Sequence, residues 1–234
     1  DNDGKTISLV DDRGSVVPPL SALAAFAVLT WQVQPGSTVV VPLTAPHVLE
    51  DLAGRFGGQL RRVPVSAQAQ MRAAVGGAVS PALIGDAGGS YIFPDFHPGF
   101  DGMMAVARLL QYLGTVEMRL SEVIALVPPY FVSSAEAPCP WDAKGRVMRG
   151  LHEKATQETA ASGRDEDGGA AEQIEGVRFG RNGEWAVVLP DPDKPIFHVY
   201  AESESSKAAK DLAGRYVELV KRLEEDAVQS RAAV

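Results

Sequence analysis

The sequence predicts an α/β protein in two parts: a layered α/β domain with a mainly parallel sheet, then an α+β domain whose antiparallel sheet is covered by two helices. Three observations predict it. Short apolar strands alternate with helical stretches up to about residue 126, the pattern of strands joined by helical crossovers. Three strands then follow one another closely over 173–201, joined by turn-rich stretches. A terminal stretch with Ala208, Leu212, Tyr216, Leu219 and Leu223 at helical spacing closes the chain.

Residues 5–17 read as a small hairpin, with Thr6–Val10 alternating and Asp11-Asp12-Arg13-Gly14 as the turn. Pro18-Pro19 opens an apolar helix through about Trp31. Ser37–Val41 is β-branched and apolar, the kind of strand buried on both faces of a parallel sheet. A helix over about His47–Phe56 ends at Gly57-Gly58, a glycine C-cap. Gln59–Val65 is a strand and Gln68–Val75 a helix; Ala82–Asp86 and Tyr91–Phe93 are strands. Asp101–Leu113 is a helix ending at Gly114, and Leu120–Leu126 another.

Val127-Pro128-Pro129-Tyr130 marks the boundary, which gives a remnant of a preceding domain over 1–17, an α/β domain over 18–126 and an α+β domain over 127–234. In the last of these, Phe131–Glu136 is a strand and about Asp142–Thr156 a helix. Ser162–Gly169 is a polar loop, and the strands are Gln173–Phe179, Glu184–Leu189 and Ile196–Ala201. Asn182-Gly183 favours a tight turn between the first two, and a helix runs over about Ser205–Glu225.

Composition narrows the function. The 234 residues carry a net charge of −8, which argues against nonspecific binding to nucleic acid or an anionic membrane. The longest apolar run, Leu20–Trp31, is too short to span a bilayer, and no signal peptide is visible. The single Cys139 forms no intrachain disulfide and fits a reducing cytoplasm. The chain opens Asp1-Asn2-Asp3-Gly4 without Met, as expected of a fragment. His47, His97, His152 and His198 are scattered without metal-ligand spacing. Trp141 followed by Lys144, Arg146 and Arg149 places a basic face near a helix start, a weak candidate for a phosphate, a nucleotide or an acidic partner.

Four loops carry a resemblance. They are Leu189-Pro190-Asp191-Pro192-Asp193-Lys194-Pro195, Asp1-Asn2-Asp3-Gly4-Lys5-Thr6, Val63-Pro64-Val65-Ser66-Ala67-Gln68 and Ile84-Gly85-Asp86-Ala87-Gly88-Gly89-Ser90. In order and setting they resemble the phosphate, metal, lysine and sugar-recognition loops of the α-D-phosphohexomutases (phosphomannomutase and phosphoglucomutase). The resemblance covers nearly the whole chain and implies that family's third and fourth domains, preceded by the end of its second.

Each loop departs from the pattern. At the phosphate loop the family Arg is Leu189, the Ser is Asp191, the Gly is Pro192 and the Thr is Asp193, with Lys194 before the retained Pro195. Losing the Arg removes a bidentate phosphate partner, and two carboxylates repel a dianion. At the metal loop Asp1 and Asp3 survive as remnants, but Lys5 stands at the third Asp. At the sugar loop the Glu is Asp86, the Ser is Gly88 and the His is Ser90. Asp86, Gly88 and Ser90, with His97 nearby, remain the candidate substrate contacts, and Lys144 and Arg146 are weaker ones. No Ser lies in the context of the family's catalytic phosphoserine, so no catalytic residue is carried over.

The segment 138–149 and the Pro-Asp-Pro-Asp loop together resemble the phosphomannomutase-like C-terminal region of bacterial NDP-sugar pyrophosphorylase fusions of the mannose-1-phosphate guanylyltransferase kind. That resemblance implies a regulatory, sugar-phosphate-sensing or scaffolding region. Its partner would be a nucleotidyltransferase domain earlier in the same chain, its ligand a hexose phosphate or nucleotide sugar. It also implies no cofactor for this region and Mg²⁺ for the parent protein. The alternatives are part of an active hexose-phosphate mutase whose serine-bearing domain lies elsewhere, and an interaction module that fixes a homo-oligomer.

Overall fold

In a computed structural model, residues 1–76, 80–162, 176–181 and 184–232 are described. The chain forms two compact units, Asp1–Pro129 and Tyr130–Val234.

The first unit opens with a hairpin of β1 (Leu9–Val10) and β2 (Val16–Val17). The expected strand from Thr6 is shorter, because Thr6 pairs instead with Ser90 in an isolated antiparallel bridge. Asp12, in the hairpin turn, accepts from the Ser121 backbone N–H and hydroxyl, both at 3.0 Å, and so ties the hairpin to the first turn of α5 (Leu120–Ala125). Those bonds hold the Asp12 carboxyl below its ordinary range.

The sheet runs β4 (Gln59–Val63), β3 (Thr38–Pro42), β5 (Leu83–Gly85), β6 (Tyr91–Ile92). Here β3 is parallel to β4 and β5, and β6 turns back antiparallel. Val39, Val40 and Val41 of β3 are fully buried, as a strand flanked on both edges requires. Helix α1 (Pro19–Val33) is buried from Ala22 to Trp31 and packs among α2 (Val48–Phe56), α4 (Gly102–Val116) and α5. An all-round apolar helix has nowhere else to go. Its one buried hydroxyl, Thr30, donates to the Phe26 carbonyl at 2.7 Å.

Helix α2 ends at Gly57, whose φ of 66° is the left-handed cap the sequence predicts. Helix α3 (Ala67–Val75) starts on Ser66, whose hydroxyl accepts from the Ala69 N–H. Helix α4 runs through Gly114 to Val116, correcting the expected stop. Nothing crowds Gly114, so it sits in the helix without a packing role, and Glu117 makes the left-handed cap instead.

The second unit is an antiparallel sheet ordered β7 (Phe131–Pro138), β10 (Ile196–Ser203), β9 (Glu184–Pro190), β8 (Val177–Arg181). Helices α6 (Trp141–Ser162) and α7 (Ser206–Ala232) pack on it. Val147 and Leu151 from α6 and Leu212, Ala213 and Val220 from α7 close over Val188, Phe197, Val199 and Ala201. Tyr216 lies 4.5 Å from the Phe179 ring. The polar loop expected over 162–169 lies outside the described residues beyond Ser162, as do the start of the strand expected from Gln173 and the Asn182-Gly183 turn.

Candidate functional site

The three loops that leave the carboxyl ends of β3, β4 and β5 lie along one edge of the parallel sheet, where open α/β sheets take their ligands. The loop after β5 is the sugar-loop candidate. One Asp86 oxygen, Oδ1, accepts from the N–H groups of Gly88 and Ser90, both at 2.8 Å. The Asp86 N–H donates to the Ser90 carbonyl at 3.0 Å, which closes the turn. Oδ1 thus shapes the loop, and Oδ2 takes no hydrogen bond among the described residues.

The segment 1–7 docks on this loop. The Thr6 and Ser90 hydroxyls lie 3.0 Å apart, and the Ile7 N–H donates to the Gly89 carbonyl at 3.0 Å. Gly89 has a φ of +95°, and a Cβ there would meet the Ile7 carbonyl oxygen at 2.7 Å, so this contact requires glycine. Gly102, at the start of α4, donates its N–H to the Gly4 carbonyl at 2.7 Å. The metal-loop and sugar-loop candidates are therefore neighbours, a pairing across more than eighty residues that no local pattern shows. His97 sits apart, exposed in a turn closed by its N–H on the Phe93 carbonyl at 2.9 Å.

The donor set does not fit Mg²⁺. Asp1 Oδ1 accepts from the N–H groups of Lys5 and Thr6, and Asp3 faces the Lys5 ammonium at 3.4 Å. An ammonium at that place opposes a second cation. No group of three or more His, Cys, Asp or Glu able to hold a metal occurs among the described residues.

In the second unit, the loop between β9 and β10 is the phosphate-loop candidate. Leu189, where the family pattern has Arg, is only 5% exposed. Asp191 organises the loop. Its Oδ1 accepts from the N–H groups of Asp193 and Lys194, both at 2.8 Å, and its Oδ2 lies 2.7 Å from His198 Nε2. The His198 bond leads, with the two backbone donors, in pulling the Asp191 carboxyl down to about 2. His198 Nδ1 faces Glu136 at 3.8 Å.

Beneath the loop is Lys144, 9% exposed. Its ammonium donates to the carbonyls of Asp191, at 2.5 Å, and Lys194, and sits 3.9 Å from the centre of the Trp141 ring. In the sequence Lys144 is a weak candidate for a ligand contact on a basic face; the structure places its ammonium on the carbonyls that support the loop. Arg146 is half-buried on α6, and its Nε has no hydrogen-bond partner among the described residues. Cys139 is buried, and burial raises its thiol to about 11, far from a reactive thiolate. His198, one of the four histidines without metal-ligand spacing, joins the phosphate-loop network. Its signal was alternation along a strand that begins immediately after the loop.

These features place the chain among proteins with the phosphohexomutase fold, and comparison with known proteins agrees. Residues 20–130 match the family profile of phosphoglucomutase/phosphomannomutase, alpha/beta/alpha domain III. Along nearly all of its length the chain is similar to phosphosugar mutases. It is 28% identical over 225 residues to a probable phosphoglucosamine mutase of Thermococcus kodakarensis, covering 95% of this chain and 47% of that protein. It is 26% identical to the probable phosphoglucosamine mutase of Methanopyrus kandleri, covering 97% and 48%. The crystal structure of a phosphoglucomutase/phosphomannomutase family protein from Burkholderia thailandensis superposes with a TM-score of 0.73 at 20% identity, covering 94% of this chain and 45% of that one. The chain thus spans about half the length of the curated relatives it matches. No helix among the described residues is long and apolar enough to cross a membrane.

Proposed function

We propose that the chain supplies the third and fourth domains of a protein that acts on a hexose phosphate, with the phosphoryl-transfer serine in a part of the protein outside this chain. The observation that carries this reading is the 84–90 loop. It stands at the carboxyl edge of the parallel strands, is held by segment 1–7, and leaves Asp86 Oδ2 to accept from a sugar hydroxyl. The phosphosugar mutase relatives, aligned over 94–98% of the chain, support it.

The β9–β10 loop favours a second reading. The N–H groups of Asp193 and Lys194 are engaged by Asp191, and the Lys144 ammonium beneath the loop by carbonyls, so these groups offer phosphate no free grip. This fits a sensing or scaffolding region, such as one fused to a sugar-nucleotide pyrophosphorylase, in which hexose phosphate binds without turnover.

Two measurements separate the readings. Full-length protein is assayed for interconversion of hexose 1- and 6-phosphates, with glucose, mannose and glucosamine as the sugars. This chain is then melted with each hexose 1-phosphate, with Asp86→Asn as control. A ligand at about a hundred times its Kd stabilises by about 2.7 kcal/mol. Interconversion establishes the mutase reading. A melting shift abolished by Asp86→Asn, without interconversion, establishes sensing. Neither effect with any sugar sinks the mutase and sensing readings and leaves scaffolding.

A further inference from the structure

We infer that Lys5 is the resident cation of the 1–6 segment: it stands in for a divalent ion, so the segment is held on the 84–90 loop, and a ligand binds at that loop, without metal. Alternate positions 1, 3 and 5 are those by which oxygen-ligand loops bring side chains onto one cation. Here they carry a carboxylate, a carboxylate and an ammonium. Lys5 answers both carboxylates. Its backbone N–H donates to Asp1 Oδ1 at 2.9 Å, and its ammonium donates to Asp3 Oδ2 at 3.4 Å. The Thr6 N–H adds a second bond to Asp1 Oδ1 at 3.3 Å. A small divalent ion needs a near-octahedral set of oxygens. Two carboxylates, one turned to backbone amides and the other to an ammonium, do not supply it.

The placement of the segment is independent of any ion. The Thr6 and Ser90 hydroxyls meet at 3.0 Å, the Ile7 N–H donates to the Gly89 carbonyl, and the Gly102 N–H donates to the Gly4 carbonyl. None of these contacts passes through Asp1 or Asp3. The Lys5 and Asp3 side chains are 59% and 70% exposed, so their pairing adds little to stability. Its consequence is electrostatic: a divalent ion entering beside Asp3 meets an ammonium already there.

The probe is Mn²⁺, followed by calorimetry and by paramagnetic broadening of the backbone amides, on this chain and on Lys5→Asp and Lys5→Asn. The unsubstituted chain should bind Mn²⁺ no more tightly than about 1 mM, the level of weak oxygen-ligand sites. Lys5→Asp, which completes the alternate carboxylates, should bind at least about tenfold more tightly, with broadening centred on residues 1–6. Lys5→Asn, which supplies a neutral oxygen, should gain in the same direction by less. EDTA should leave the melting temperature of the unsubstituted chain unchanged. Tight Mn²⁺ binding at residues 1–6 of the unsubstituted chain overturns the inference, as does a melting temperature that falls with EDTA. So does the absence of any gain in both folded variants. The ligand clause rests on the hexose-phosphate reading: a melting shift with a hexose 1-phosphate should be equal in EDTA and in Mg²⁺, and one that requires Mg²⁺ overturns the clause. No shift under either condition sinks the hexose-phosphate reading and leaves the Mn²⁺ result to decide the role of Lys5.

Discussion

Replacing Lys144 by Met separates a structural lysine from a ligand-binding one. Methionine keeps an apolar stem of similar length and deletes the ammonium. Two charge-assisted bonds to the Asp191 and Lys194 carbonyls are lost, along with the stacking on Trp141. Hydrogen bonds to charged groups contribute about 1.5–3 kcal/mol each. Against this, the variant no longer desolvates a buried ammonium, a cost of several kcal/mol. The freed carbonyls belong to a surface loop and regain water. The balance is a net loss of about 2 kcal/mol. For a chain of this size that lowers the melting temperature by about 4–8 °C. Circular dichroism melts at neutral pH, with urea titration for the free energy, make the measurement. An unchanged melting temperature together with weaker hexose-phosphate binding would refute the reasoning, since Lys144 would then face a ligand and not the loop.

Other substitutions probe the remaining contacts. Gly89→Ala places a side chain at a φ of +95° and against the Ile7 carbonyl, so it should cost about 1–3 kcal/mol in urea titration and expose the 1–8 segment to protease. Leu189→Arg, which restores the residue type of the family pattern, should destabilise by more than about 3 kcal/mol, because it buries an unpaired guanidinium at a position 5% exposed. Asp191 has a folded-state carboxyl pulled to about 2 from an ordinary value of 3.8, so its contribution is present above the ordinary value and is lost as pH falls through about 2. Asp191→Asn should therefore flatten the fall in stability between about pH 4 and pH 2, as read by melts across that range; an unchanged acid limb would show that the His198 and backbone bonds do not form.

The α/β order, the antiparallel second unit and most elements were legible in the sequence because they rest on local periodicity. Helix α1 is apolar all round, β3 is a run of valines, and α7 repeats apolar residues at helical spacing. Two misreadings fell where a local rule did not decide the outcome. Gly114 has the residue type that stops a helix, yet α4 runs on to Val116 and takes its left-handed cap at Glu117. Thr6 has the pattern of a hairpin strand, but Ser90 supplies a better partner.

At the loops, the sequence by itself determined which residue types were present: a carboxylate at 86, a leucine at 189, two aspartates against one lysine at 191–194. Only the tertiary structure decided what those groups do. A carboxylate followed by glycines reads equally as a ligand contact or a turn, and the structure shows Asp86 Oδ1 closing the turn. A lysine near a helix start reads as a surface charge, and the β9–β10 loop, folded back over α6, turns Lys144 into its anchor. The physical reason is that periodicity reports which face a residue takes, whereas the partner of a polar atom depends on chain segments that meet only after the sheet and helices have packed.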